Sequence, residues 1–338
     1  MGHSAQRSVE EVGPVQGVQG LLRTTAVLIG ATGATVGAAY GMLTHQGRRA
    51  HREIMIPGWF PFRADGVYLP DGIGPHPPSA PAGDVLRFAV LGDSLAAGLG
   101  VDLPEQLPGV VLARGLAEEA GRPVQLDTLA ICSCTSRELG GQVDAALIDP
   151  PHAALIMIGG NDVARRIPPW VSAKLLGEAV SRLRTAGTTV VVGTCPDLGV
   201  VRPIPQPLRI LAGTSSLALA RLQREAVRRA GGLPVSLADL LARELLVQPD
   251  ALFSRDQFHP SAAGYAAACW VLLPALCAVP APLETARTGL AVLEEPPTGT
   301  RARSVVDRAL LRVGVLATRP GSRTAAAESP GTTRPKSP

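Results

Sequence analysis

From residue 86 onward the chain alternates short apolar runs with longer stretches whose apolar residues recur at helical spacing, and few folds accept that pattern. The strand-length runs are residues 86–91, 123–131, 153–158 and 188–194, with a weaker one at 234–236. Helical patterns lie near 108–120, 136–147, 170–186, 207–230, 237–245 and 260–276. Such alternation predicts an α/β domain, a parallel sheet with helices on both faces. Open sheets of this kind bind ligands beyond the carboxyl ends of their strands. The residues that follow each apolar run are therefore the ones to read for chemistry.

After the first run comes Gly92-Asp93-Ser94-Leu95. A serine on a strand-to-helix turn can present its hydroxyl at the sheet edge, but alone it is a poor nucleophile. It needs a base to take its proton and a carboxylate to orient that base. Asp256-Gln257-Phe258-His259 carries both within four residues. After the third run comes Gly159-Gly160-Asn161-Asp162, where a side-chain amide can donate to a developing oxyanion. Ser133 follows the second run, in Ala130-Ile131-Cys132-Ser133-Cys134-Thr135-Ser136. Gly92 and Asp93 shape the turn, and Asp93 is expected to brace the site by hydrogen bonding. Asp162 is expected to cap the turn after Asn161, and Cys195-Pro196-Asp197-Leu198 reads either as pocket lining or as a turn around a buried cysteine.

Taken in order, these segments resemble the SGNH (GDSL) hydrolase family over about residues 85–279. The resemblance implies a three-layer α/β/α sandwich around a five-stranded parallel sheet in flavodoxin-like order. It assigns Ser94 as nucleophile and Asp256 and His259 as the rest of a triad. The oxyanion hole falls to the N–H groups of Ser94 and Ser133 with the Asn161 amide, and Asp93 and Gly160 stand as supporting residues. It implies hydrolysis of acyl esters with no cofactor and no metal. Acyl transfer and carbohydrate O-acetyl hydrolysis are alternatives on the same site. A membrane-anchored binding protein without turnover is an alternative of another class. There is one departure: Ser133 stands where the family has a glycine, and Thr128 where an asparagine is common. Serine serves as well as glycine if the local φ is negative and is strained if φ is positive.

Outside the hydrolase region the chain divides by composition. Residues 1–23 are polar and read as a flexible N-terminus. Residues 24–43 carry no charge, long enough to cross a hydrocarbon core as a helix. Gly33, Gly37 and Gly41 recur every four residues there, a spacing that lets two membrane helices approach and form a homodimer. The stretch reads as a single-pass anchor in preference to a signal segment cleaved to give a secreted form. Arg48, Arg49 and Arg52 outnumber the basic residues before it, which by the positive-inside rule holds the domain in the cytoplasm. The family resemblance points the other way. Residues 44–84 hold many prolines and glycines and read as a linker, so residues 1–55 are expected to be dispensable for catalysis. Residues 280–338 form a low-complexity tail, with a basic amphipathic helical pattern at 301–317.

The net charge of +4 is mild for 338 residues, and aromatic residues make up 3%. That scarcity argues against single-stranded nucleic-acid binding, which uses aromatic stacking platforms beside a basic groove. Five cysteines are present, in no zinc-ligand spacing. The expected partners are a small acyl ester and, through the N-terminal segment, a membrane.

Overall fold

The computed structural model describes residues 36–54, 56, 58–77 and 85–278. Six strands form one sheet in the order β1-β3-β2-β4-β5-β6. They are β1 (Gly66–Tyr68), β2 (Leu86–Gly92), β3 (Val124–Thr128), β4 (Ala153–Met157), β5 (Thr189–Gly193) and β6 (Leu233–Val235). Strands β2 to β6 are parallel, in the flavodoxin-like order expected for five strands. The sixth, β1, adds an antiparallel edge on β3, with Gly66 opposite Leu126 and Tyr68 opposite Val124.

The sheet is buried because both of its faces are apolar. Successive strand side chains point to opposite faces. On one face Phe88, Val90, Leu155, Met157 and Val191 pack with α3 (Pro108–Ala120) and α10 (Ala262–Cys277), through residues such as Leu112, Leu116, Tyr265 and Leu272. On the other, Ala89, Leu91, Ala154, Ile156, Val190 and Val192 meet α4 (Leu139–Ala146), α6 (Pro169–Thr185) and α7 (Leu208–Arg229). The helices present stripes at three- and four-residue spacing, as in Leu176, Ala179, Val180 and Leu183 of α6. Short elements complete the chain at the carboxyl edge: α2 (Ser94–Ala97), α5 (Gly160–Ala164), α8 (Leu237–Val247) and α9 (Pro249–Leu252).

The stretch read as a linker departs from that expectation. Residues 36–54 form helix α1, and its second half docks on the catalytic domain. Ala50 is buried against Leu198, Val201 and Ile204, with Ile54, Leu208 and Phe258 around them. The Gln46 amide donates to Gln206 O at 2.7 Å and accepts from Leu208 N at 3.2 Å. Farther on, β1 joins the sheet, and Asp65 accepts the Thr128 N–H at 2.9 Å. Proline and glycine content suggested a spacer, yet three strand residues and one small buried alanine suffice to tie the stretch down.

Residues 24–35 of the expected anchor, with Gly33, lie outside the described residues, as do 1–23 and the tail with 301–317. Gly37 and Gly41 lie on the exposed first half of α1. Among the described residues no helix is long and apolar enough to cross a membrane.

The docked helix changes what truncation should do. Leu198 and Val201, which Ala50 covers, also line the cavity beside Ser94. Deleting residues 1–55, or replacing Ala50→Glu, should lower the thermal midpoint and raise KM for an ester more than it lowers kcat. Full activity and an unchanged melting curve for the truncated protein would show that α1 contributes nothing.

Candidate active site

The two strands that matter most, β2 and β4, lie side by side where the chain order reverses, at the sheet's switch point. Their carboxyl ends are drawn together at Gly92, with φ 133° and a Cβ position that would collide with the Met157 carbonyl. Asp93 N donates to that carbonyl at 3.1 Å. The chain then turns directly into α2, capped by Asp93, whose Oδ1 accepts the Leu95 N–H at 2.9 Å. Ser94 is thereby the first residue of a helix at the sheet edge, with its hydroxyl facing the cavity.

His259 reaches it from the other end of the chain. Its Nε2 lies 2.9 Å from Ser94 Oγ, and its Nδ1 lies 2.6 Å from Asp256 Oδ2. The second carboxylate oxygen, Oδ1, accepts from Ser254 Oγ at 2.8 Å and from the N–H groups of Phe258 and His259 at 2.9 Å each. Burial pushes the Asp256 carboxyl up, but the His259 imidazole and these N–H donors outweigh it and hold the group below the usual carboxylate range. Asp256 is thus kept ionised, and its lone pairs fix the loop that carries the base. The imidazole is flanked edge-on by Phe258, with centroids 4.9 Å apart, and by Trp59 at 6.2 Å.

Asn161 lies on α5, straight after β4, and lines the same cavity as Ser94, as does Gly160. Its Nδ2 is 3.5 Å from Asp93 Oδ2, a long contact that orients the amide toward the nucleophile's turn. Asp93 is almost fully buried with fewer donors than Asp256. Burial pushes its carboxyl up to about 6, opposed by the Leu95 N–H and the His259 charge.

Ser133 has φ 64°, the left-handed region that favours glycine. Its carbonyl is held by Arg165 Nη2 at 2.9 Å. The departure from glycine therefore falls at a position where glycine is conformationally preferred. The Asp162 carboxylate, expected to cap the turn after Asn161, bonds elsewhere. It is fully buried, accepting Ser172 Oγ at 2.6 Å and the Ser136 N–H at 3.2 Å, and so ties the Ser133 loop to α5 and α6. Pro196, Asp197 and Leu198 line the cavity, while Cys195 is buried behind it.

Two residues of the site had no place in the sequence reading. Gln142 accepts the Gly92 N–H at 2.7 Å and donates to the Gly92 carbonyl at 2.9 Å. Gln223 accepts the Cys195 N–H at 2.7 Å and donates to the Ile158 carbonyl at 2.9 Å. Each amide pairs backbone groups that the sheet leaves open where β2, β4 and β5 end, in an interior where unpaired groups are costly. Their signal was a glutamine within a buried helical stripe: Leu139, Gln142, Val143, Ala146 in α4, and Ser216, Leu219, Ala220, Gln223, Val227 in α7.

Comparison with known proteins gives the family. Residues 90–267 match the GDSL-like Lipase/Acylhydrolase family. The chain is 45% identical over 256 residues to the GDSL-like esterase Rv1075c of Mycobacterium tuberculosis, a match covering 75% of this chain and 81% of the relative. The chain belongs to the GDSL-like family. It is an ester hydrolase of that family. Among solved structures, TesA is 22% identical with a TM-score of 0.47, covering 56% of this chain and 97% of its own. An acetyl xylan esterase from Geobacillus stearothermophilus is 19% identical with a TM-score of 0.42, covering 57% of this chain and 94% of its own.

Two outcomes follow for this GDSL-like site. Ser133→Gly removes a side chain from a left-handed position and should raise stability by about 1 kcal/mol, with activity kept. A loss of turnover in the folded variant would give the Ser133 side chain a role of its own. For Asp93, the folded state keeps a proton that the unfolded chain loses, so its contribution to stability falls as pH rises from 3.8 to about 6. The slope is at most about 1.4 kcal/mol per pH unit. Denaturant titrations across that window should show a flatter profile for Asp93→Asn than for the wild type. Parallel profiles would place the charge elsewhere.

Proposed function

We propose that the chain hydrolyses carboxylic esters through an acyl-enzyme on Ser94, with His259 as base and Asp256 as its orienting carboxylate. The observation that carries this reading is the unbroken line from Ser94 Oγ through His259 to Asp256, at 2.9 and 2.6 Å. Ser94 Oγ attacks the ester carbonyl carbon as its proton passes to Nε2. The tetrahedral oxyanion takes hydrogen bonds from the Asn161 amide and from the N–H groups of Ser94 and Ser133. Losing one such donor typically costs about 3–4 kcal/mol of barrier. The carbon–oxygen bond to the alcohol then breaks, and the alcohol leaves with the proton from Nε2. Water, giving its proton to the same nitrogen, attacks the acyl carbon. The carboxylic acid departs and Ser94 recovers its proton.

The cavity beside Ser94 supports a particular acyl group. Leu198, Val200, Val201, Leu237, Leu241 and Leu245 line it, with Phe253 and Ala268. Its volume is about 90 Å³. Walls of this kind suit an aliphatic chain. This lining favours an aliphatic acyl group over a polar one.

Ser94→Ala should abolish both ester hydrolysis and covalent labelling by a fluorophosphonate, with circular dichroism unchanged. Asp256→Asn should keep KM and lower kcat by about 10²–10⁴-fold, through the histidine tautomer. With ethyl esters of rising acyl length, kcat/KM should pass through a maximum, and Leu241→Ala should move that maximum to longer chains. Residual turnover in folded Ser94→Ala would overturn the nucleophile assignment, and a flat acyl profile would overturn the cavity's role.

A further inference from the structure

The chain contains eleven aromatic residues, counting five Phe, three Trp and three Tyr. Four are buried and three half-buried, but the other four are exposed, and all four of these stand at the carboxyl edge of the sheet around the active site. They are Tyr40, Phe60, Phe62 and Trp170, with 61%, 77%, 41% and 67% of their surface open. Their placement follows from contacts. Phe60 and Phe62 belong to the strap that Arg63 ties to the Thr128 carbonyl at 2.6 Å, at the end of β3. The same strap brings Trp59 against His259. Tyr40 lies over Arg166, just beyond α5, and Trp170 opens α6 a few residues later. Ile131, also exposed, follows β3, and its N–H donates to the Gly92 carbonyl.

Arginines are interleaved with these rings. Arg63, Arg165, Arg166 and Arg255 are all exposed at this edge, and Arg255 stacks over Trp59 at 4.4 Å. Two carboxylates face them, Asp65 near Arg63 and Glu138 near Arg165. Asp65 is engaged by the Thr128 N–H and Glu138 by Thr135, which leaves the set of six positive. Aromatic rings mixed with arginine are the composition of a membrane interface, where rings lie at headgroup depth and guanidinium groups meet anionic lipid. The chain outside the structure points the same way. The exposed first half of α1, with Val36, Tyr40 and Met42, arrives at this rim from residues 24–35, which hold no charge.

We propose that this rim docks the active-site mouth on an anionic lipid surface, and that the substrate is an acyl ester of a membrane-resident alcohol. The acyl group enters the apolar cavity, and the lipid alcohol stays at the rim. The substrate part of this inference rests on the ester-hydrolysis reading above. The surface part does not.

The test uses the full chain and the variant Phe60→Ser/Phe62→Ser/Trp170→Ser, none of whose positions belongs to the catalytic machinery. Two esters of one acid are compared: ethyl butyrate in water, and hexadecyl butyrate embedded in phosphatidylglycerol or phosphatidylcholine vesicles. The variant should match the wild type on ethyl butyrate and be slower by about tenfold or more on the embedded ester. Wild-type turnover should be faster on phosphatidylglycerol than on phosphatidylcholine and fall with salt on the former alone. Brominated phosphatidylglycerol should quench Trp170, seen as a quenching loss in the single variant Trp170→Phe. A triple variant that keeps the embedded-ester rate, one that loses both rates together, or an unquenched Trp170 would overturn the surface. Equal rates on the two lipids would overturn its anionic preference. A wild type that is quenched by the lipid yet hydrolyses neither ester would leave the surface standing and sink the esterase reading instead.

Discussion

The site depends on how closely β2 and β4 approach at their carboxyl ends. Gly92 has no side chain because the Met157 carbonyl occupies the space one would need. That contact sets the distance between the turn that carries Ser94 and the turn that carries Asn161, one on each side of the switch point. A larger residue at position 92 would force the strands apart and separate the nucleophile from the amide. Strand ends packed this tightly leave backbone donors and acceptors facing each other inside the protein. Gln142 and Gln223 answer that problem with planar amides that pair N–H and C=O groups at once. The polar interior of the domain is thus a consequence of the packing that makes the active site.

Three buried aspartates surround the nucleophile, and their surroundings separate their tasks. Asp256 receives three hydrogen bonds on one oxygen and the imidazole on the other, so it stays ionised and holds the base. Asp162 takes a hydroxyl and a backbone N–H, and joins the Ser133 loop to the helices behind Asn161. Asp93 takes the Leu95 N–H and the long Asn161 contact, and burial pushes its carboxyl up to about 6. A carboxyl group is costly to bury as an anion unless donors replace its water.

Much of this was legible in the sequence, and the failures have physical causes. Strands β2, β4 and β5 were visible because each is apolar on both faces, with six, five and four residues buried, whereas β3 buries two residues and β6 none and both were read with other bounds. Helix α3 was read to its end residues because Pro108 starts it and Gly121 stops it, with φ 63°. Ser94, Asp256 and His259 stood out in the sequence by their spacing, and the structure brings the three side chains together. Strand β1 was not, since three residues between glycine and proline carry no periodicity. The docked half of α1 was missed because its burial rests on a single small residue, Ala50, and on one glutamine amide. For Ser133 the sequence could state the alternatives of φ, but the sign is a property of the loop's three-dimensional path.

The N-terminal stretch is where this difference has consequences. As a tether it would place the domain near a membrane without orienting it. In the structure it is instead a helix fixed to the loop of Leu198 and Val201, followed by a strap whose Trp59 packs edge-on to His259. Both of its contacts lie at the carboxyl edge of the sheet, the edge on which Ser94 opens. A segment attached at two points on one face has its direction relative to that face set by packing.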